Sequence, residues 1–334
     1  MITVTGATGH IGNVLVRELL SRGEIVRALV LPGEDTTHLT GLKIEIISGD
    51  IRNVTSLLKA FKGADTVYHL ASVISILPGN KMLLNSVNVE GTKNVVESCL
   101  KTGVKRLVYT SSIHAVKEPP HGTVIDESFP YDPTTVLGDY AKSKAQATLE
   151  VLKGTERGLD AVIVCPTGVI GPYDFKISEM GQLFQNFIGR KLKMYVDGAY
   201  DFVDVRDVAK GLILAGEKGR CGESYILSGQ RITIRDLLST LQKITGIKAP
   251  SFKAPLWLAR MAGILATPYY RIFKTKPLFT AYSVDVLKSN SFVSSEKASR
   301  KLGYSARPVV ESIADTVAWF KARKRVEEGI IHPA

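Results

Sequence analysis

Cysteine is scarce in this chain. Cys99, Cys165 and Cys221 are the three present among 334 residues, far apart and without ligand-like spacing. That argues against a structural metal site and for reduced thiols in a cytoplasmic protein; no metal is expected. Long apolar runs are also lacking. The longest uncharged stretch in the late apolar region, Met261–Tyr270, is too short to span a bilayer. No cleavable leader is expected, because a first strand begins at residue 2. Internal repeats and low-complexity segments are missing. Aromatics do not accompany the densest basic run, Lys321-Ala322-Arg323-Lys324-Arg325, which makes it a solvated helix face rather than a nucleic-acid surface. What is abundant is apolar residues, at 45%, enough for one large α/β domain with an accessory region. The formal charge of +11 suits an anionic, phosphate-bearing ligand.

Glycine is concentrated where it counts. Thr5-Gly6-Ala7-Thr8-Gly9-His10-Ile11-Gly12 follows a short apolar strand, Ile2–Val4, and opens an amphipathic helix, His10–Ser21. A Gly-x-x-Gly-x-x-Gly turn lets backbone approach a pyrophosphate. The N–H groups at the helix start then face the anion. Gly12 allows the helix to pack closely on the strand. A plain loop is the alternative reading of such a turn.

Strands and helices alternate onward. Ile25–Leu31, Leu42–Ile47, Thr66–Leu70, Arg106–Thr110 and Ala161–Cys165 read as strands. Helices are expected from Asn53 to Phe61, Leu83 to Thr102 and Leu137 to Gly154. The alternation predicts an α/β fold with a Rossmann-type, doubly wound parallel sheet, its ligands at the carboxyl ends of the strands. Residues 1–170, with 201–229 returning to them, form the dinucleotide-binding domain. Residues 171–200 and 230–308 form a smaller, discontinuous substrate lobe, and 309–326 a terminal helix.

Tyr140-Ala141-Lys142-Ser143-Lys144 sets Tyr140 and Lys144 one turn apart on one helix face. A free tyrosine has a pKa near ~10, and a neighbouring ammonium lowers it. Such a pair can give a proton to a carbonyl oxygen or take one from an alcohol. As a bare i,i+4 pair it is also common on surfaces. The fifth strand ends Thr110-Ser111-Ser112, where Ser112 is placed to hydrogen-bond a reacting oxygen, or merely to cap a turn.

In series these motifs become specific. Gly49-Asp50, His69-Leu70-Ala71, Asn88-Val89-x-Gly91-Thr92, Pro166-x-x-x-x-Gly171-Pro172, Phe202-Val203-Asp204-Val205-Arg206-Asp207 and Glu296-Lys297-Ala298 join those already named, in one order. The chain resembles the extended short-chain dehydrogenase/reductase superfamily, also called the NAD-dependent epimerase/dehydratase family, over nearly its whole length. The resemblance implies Tyr140 as general acid/base, Lys144 as its modulator and ribose ligand, and Ser112 (or its neighbour Ser111) as holder of the substrate oxygen. It implies a cofactor site of Gly6, Gly9, His10, Ile11, Gly12, Asp50, Ile51, Ala71, Ser72, Tyr140, Lys144, Pro166 and Val169. Asn88 is expected to steady the long helix. A homodimer through the helices Leu83–Thr102 and Leu137–Gly154 is expected on the same ground.

Departures narrow the reaction. Sugar-nucleotide 4,6-dehydratases resembling this chain carry an Asp-Glu pair where Ile113 and His114 stand. Many epimerases have a diphosphate-gripping arginine where Tyr200 stands, although Arg190, Lys191 or Lys193 could substitute. The chain is most similar to the dihydroflavonol reductase, cinnamoyl-CoA reductase and 3β-hydroxysteroid dehydrogenase subgroup, which shares the Pro255-Leu256-Trp257-Leu258 element. An NAD(P)-dependent oxidoreductase acting on the carbonyl or alcohol of a small apolar molecule is therefore expected. The alternative is a nucleotide-sugar epimerase with tightly bound NAD. Leu31 stands where NAD enzymes carry an acid, with Glu34 and Asp35 slightly late, and that leans the reading to NADP. Arg27, inside its strand, reads as a surface residue. Phe252, Trp257, Met261, Tyr269, Tyr270, Phe273 and Phe279 read chiefly as core of the small lobe. A contact of this stretch with anionic lipid, through flanking Lys253, Arg260, Arg271, Lys274 and Lys276, is the minor reading. His114 reads as a hydrogen-bonded loop residue.

Overall fold

The computed structural model describes residues 1–75, 79–273 and 281–327. In chain order the strands are β1 (Ile2–Thr5), β2 (Val26–Val30), β3 (Glu45–Ser48), β4 (Thr66–His69), β5 (Arg106–Thr110) and β6 (Ala161–Pro166). They continue with β7 (Gly168–Ile170), β8 (Met194–Val196), β9 (Ala199–Asp204), β10 (Ser224–Leu227), β11 (Gln230–Thr233) and β12 (Phe252–Ala254). The helices are α1 (His10–Ser21), α2 (Val54–Phe61), α3 (Lys81–Leu84), α4 (Gly91–Thr102), α5 (Asp139–Glu156) and α6 (Glu179–Ile188). After them come α7 (Val205–Lys218), α8 (Ile234–Thr245), α9 (Leu256–Phe273), α10 (Ala281–Leu287), α11 (Glu296–Leu302) and α12 (Val309–Glu327).

Seven strands form one parallel sheet in the order β10-β6-β5-β4-β1-β2-β3. Its inner strands are apolar on both faces, as a sheet sandwiched between helices requires. Leu107, Tyr109, Ile163 and Cys165 join α2, α4 and α5 in one core; Val108, Val162 and Val164 join α1 and α7 in the other. The strand order reverses between β4 and β1. That opens the crevice in which a doubly wound sheet binds its ligand. A third core gathers Phe184 of α6, Phe202 of β9, Leu237 and Leu241 of α8 and Ile313 and Val317 of α12. It underlies the sheet β11-β9-β7.

The helix expected over Leu83–Thr102 is present from Lys81, runs through a π-helical turn, Asn85–Glu90, into α4, and stops at Gly103. Two expectations need correction. Arg27 is buried; its guanidinium donates to the Ala60 and Lys62 carbonyls at 2.8 Å each and pairs with Glu45 at 2.8 Å. A sheet-face arginine is tolerated here because the end of α2 offers spare carbonyls. The described part of the late aromatic stretch is not core: Phe252 on β12 and Trp257 and Met261 on α9 are exposed. Phe279 lies outside the described residues, as do the side chains of Tyr269, Tyr270 and Phe273.

Candidate active site

The glycine turn is closed from two sides. Gly6 has φ +74°, and a Cβ on it would sit 2.7 Å from the Ala71 nitrogen. A Cβ on Gly12 would come within 2.1 Å of the Gly6 carbonyl oxygen. The Gly9 N–H donates to Gly6 O at 3.0 Å, and Gly9 begins α1 with no side-chain cap and no acid in the first turn. A helix start left to backbone N–H groups beside a Cβ-free cradle fits a pyrophosphate. His10 and Ile11 sit in that first turn, and the His10 Nε2 is 2.9 Å from Pro172 O.

The series motifs have a physical reason. Thr5 Oγ1 accepts from the Leu70 and Ala71 amides at 3.2 Å each and meets His69 Nδ1 at 2.8 Å. The other His69 nitrogen is 3.0 Å from Thr92 Oγ1. Burial drives the His69 ring down to about 3, so it stays neutral and serves as a strut between β1, β4 and α4. Just past Ala71 and Ser72, Val73 is held by Asn88 through its N–H (2.8 Å) and its carbonyl (2.9 Å). Asn88 also donates to the Ser143 hydroxyl at 2.9 Å. Asn88 thus fastens the loop after β4 to the tyrosine helix.

At the far end of the crevice Ile51 is buried against Gly91, and Asp50 pairs with Arg52 at 2.5 Å. The hydrogen bond from Arg52 holds the Asp50 carboxyl below its ordinary value. Glu34, which looked late in the sequence, is folded back. Its amide donates to Leu31 O at 3.1 Å, and its carboxylate accepts from the Leu31 amide at 3.2 Å and from Thr8 Oγ1 at 2.8 Å. It also pairs with Lys176. Burial opposes its ionisation, but Lys176 and Thr8 outweigh that and keep Glu34 ionised. An acid therefore stands beside the glycine turn at the end of β2.

Ser111 and Ser112 part company. The Ser111 hydroxyl bonds Thr148 at 2.7 Å, in the core behind α5. The Ser112 hydroxyl accepts from the His114 amide at 3.2 Å and lies near enough to the Tyr140 phenol to favour its ionisation. Lys144 is buried, donates to Thr110 O at 2.6 Å and lies 4.5 Å above the Tyr109 ring. The expected lowering of the tyrosine is not what this geometry does. Burial pushes Tyr140 up to about 12, with the Ser112 hydroxyl acting against it, and burial brings Lys144 down to about 7. One of the three ammonium donors goes to a strand carbonyl, and desolvation dominates both groups. Pro166 closes β6 beside Leu227, and Val169 lies in β7 beside Val203.

Tyr140 acts electrostatically on Tyr200 and Tyr282, and these two rings belong to the wall of a neighbouring cleft with Val116, Ile125, Val136 and Val286; Ser112, Tyr140 and Lys144 are not themselves in its lining. Tyr200 OH is 2.7 Å from His114 Nε2. Burial lowers the His114 ring to about 4, so it is neutral at pH 7 and offers one donor and one acceptor. The Tyr282 hydroxyl is buried without a partner among the described residues, and its ring covers Gly138. Glu118 and Asp201 also line the cleft; among the described residues no lysine or arginine does. Tyr282 was missed in the sequence, where nothing ties it to a helix starting 143 positions earlier.

The NAD dependent epimerase/dehydratase family matches residues 2–228. The chain belongs to this family. It is 37% identical over 324 residues to Sterol demethylase protein B of Methylococcus capsulatus, covering 96% of this chain and 98% of that one. It is 33% identical to a putative dihydroflavonol 4-reductase of Synechocystis, covering 95% and 94%. The solved structure of gox2253 superposes with TM-score 0.85 at 34% identity, covering 97% of this chain and 99% of that one. DesIV, a dTDP-glucose 4,6-dehydratase, shares the fold at 22% identity and TM-score 0.77. The family member described here is an NAD(P)-dependent oxidoreductase of the extended short-chain type.

Proposed function

We propose that this oxidoreductase acts on the carbonyl or alcohol of a small apolar molecule, in a cleft that no lysine or arginine lines among the described residues. The observation that carries the substrate class is that cleft wall: valine, isoleucine, leucine and tyrosine with a neutral histidine, two acids and five uncharged polar residues, Thr135, Thr167, Ser289, Asn290 and Ser291. Bound nicotinamide supplies or accepts hydride there. Tyr140, protonated at neutral pH, gives its phenolic proton to the substrate oxygen, and Ser112 orients that oxygen. Lys144 holds Thr110 and the floor of the site. The glycine turn, Ala71 and Ser72 take the pyrophosphate side, Asp50 and Ile51 the adenine side, and Pro166 and Val169 the nicotinamide side. The position of Glu34 supports NAD(H) over the NADP(H) suggested by Leu31, since a carboxylate accepts ribose hydroxyls and repels a 2′-phosphate.

Residues 171–200 and 230–308 are assigned to the substrate lobe. A homodimer and a cytoplasmic location, expected from the sequence, stand as proposals that light scattering and fractionation address. The named relatives, a sterol demethylase protein and a dihydroflavonol reductase, support a fused-ring or otherwise lipophilic substrate. The test is Tyr140→Phe: turnover on a panel of ketones should fall at least about a hundredfold while NADH binding is kept. Unimpaired turnover in that variant sinks the mechanism.

A further inference from the structure

The α9 helix carries an apolar stripe on the outside of the molecule. Trp257 is 68% exposed and Leu265 72%, and Leu258, Met261 and Ile264 are exposed with them. Positions 257, 258, 261, 264 and 265 fall on one face of a helix. Single exposed apolar side chains are ordinary, but five large ones in register form a patch of the kind that marks an interaction surface. Phe252 and Met194, register partners in the β8–β12 ribbon just ahead of the helix, are exposed as well.

The segment that carries the stripe has charge of one sign, and the acids that pair with two of its bases come from outside it. From Leu237 to Val284 the sequence holds no aspartate or glutamate and seven lysines and arginines, from Lys243 to Lys276. The two described bases nearest the stripe are half exposed: Lys253 pairs with Asp197 at 2.7 Å and Arg260 with Asp285 at 3.2 Å. Two-fold packing of this face on a second copy would set like charges against each other. A surface that is negative and apolar just beneath satisfies both features at once. An anionic bilayer is such a surface. The helix also borders the cleft: α9 packs on α10, which contributes Tyr282 and Val286 to the wall.

We propose that α9 lies in the headgroup region of an anionic bilayer with its Trp257–Leu265 stripe toward the acyl chains. The cleft then draws on substrate dissolved in the membrane, a step that rests on the oxidoreductase reading above. The test uses the full chain with sedimenting vesicles of phosphatidylcholine alone and of phosphatidylcholine mixed with phosphatidylglycerol. The protein should pellet with the mixed vesicles, less so at high salt. Tryptophan emission should shift to the blue as Trp257 leaves water. The double variant W257E/L265E should lose at least about tenfold in vesicle affinity while melting temperature and NADH binding stay unchanged. Absence of pelleting with either vesicle overturns the proposal, as does undiminished binding by the double variant. A dimer that the double variant splits, with no vesicle binding, assigns the stripe to a second copy and also overturns it. Vesicle binding with no turnover of any ketone would uphold the surface and sink the reading of the site.

Discussion

Gly12→Ala is the sharpest test of the cofactor cradle. The new Cβ would stand 2.1 Å from the Gly6 carbonyl oxygen, 2.8 Å from its carbon and 2.9 Å from the Ala7 Cα. All three are backbone atoms, so no side chain can swing aside. Ordinary contact requires the helix start and the turn to separate by roughly 1 Å. Gly6 cannot retreat toward β4, because it already lies against the Ala71 amide. The turn must therefore open toward the crevice, or α1 must tilt away from β1. Overpacking of this kind costs about 1–3 kcal/mol of stability. It also carries the first-turn N–H groups out of the 2.7–3.2 Å range that hydrogen bonds need. Losing one charge-assisted bond is worth about 1.5–3 kcal/mol, so NADH should bind at least about tenfold more weakly. Gly9→Ala is the graded comparison: its Cβ would lie 3.3 Å from the same oxygen, and its effect should be smaller. Fluorescence titration of NADH, with circular dichroism confirming the fold, reads both variants. Affinity within twofold of the parent in Gly12→Ala would refute the closed-cradle argument.

Three further outcomes follow from the geometry. With Tyr140 raised to about 12, the phenol is in its acid form throughout the neutral range. Carbonyl reduction should be nearly flat there, whereas alcohol oxidation, which needs the phenolate, should rise about tenfold per pH unit; rate profiles in both directions check this. Glu34→Arg removes the acid beside the glycine turn and supplies a phosphate ligand, so the preference between NADH and NADPH should move toward NADPH by at least about tenfold in Kd ratio. Arg206→Met removes the nearer cation of Asp204, a side chain with no exposure that Arg206 binds at 2.8 Å, and leaves it only Arg307 at 3.7 Å. Burial raises the Asp204 carboxyl, but the bonds from Arg206 outweigh it and leave a folded-state value below 3.8. Its stabilisation is thus present above the unfolded value and lost as pH falls through the folded one. The variant should cost about 3 kcal/mol or more at pH 7, and the gap to the parent should narrow below about pH 4 in urea titrations.

The parts of the site that were legible in the sequence are local. Gly6, Gly9 and Gly12 act within one turn, and Tyr140 and Lys144 within one helical turn, so spacing alone exposes them. The sheet was legible because strand and helix periods alternate. What escaped depends on chain reversal or on distance. Glu34 reaches the cofactor crevice only because the chain from Leu31 to Glu34 folds back. His114 meets Tyr200 across 86 positions, and neither side chain signals the other. Arg27 looked like a surface residue because its partners, the carbonyls of Ala60 and Lys62, are backbone atoms that carry no sequence mark. The apolar character of residues 252–265 was plain, but composition does not say which way a helix faces. The lowering of Tyr140 by Lys144 failed for a related reason. Adjacency on a helix face is readable, whereas the Thr110 carbonyl that takes up the ammonium lies on another element.

The same Tyr140, Ser112 and Lys144 constellation serves epimerisation and simple reduction alike, so the choice between them lies outside the triad. A nucleotide-sugar substrate carries two phosphates that must be stripped of water in the cleft. That cost is met only where cations or many donors replace the water. Here the arginine position of sugar-nucleotide enzymes holds Tyr200, whose hydroxyl is engaged with His114. The histidine is held neutral by burial, so it adds no charge at pH 7. Arg190, Lys191 and Lys193, the substitutes the sequence allowed, do not line the cleft. Glu118 and Asp201 do, and either would repel a diphosphate. Among the described residues, the surplus of positive charge lies outside the cleft wall. Part of it surrounds the α9 stripe, where it is available to an anionic surface instead. A cleft of this kind selects against charge by what it leaves unpaired. On the proposed reading it takes a ketone or alcohol whose single polar oxygen meets Ser112 and Tyr140 and whose remainder meets the valine, isoleucine and tyrosine of the wall.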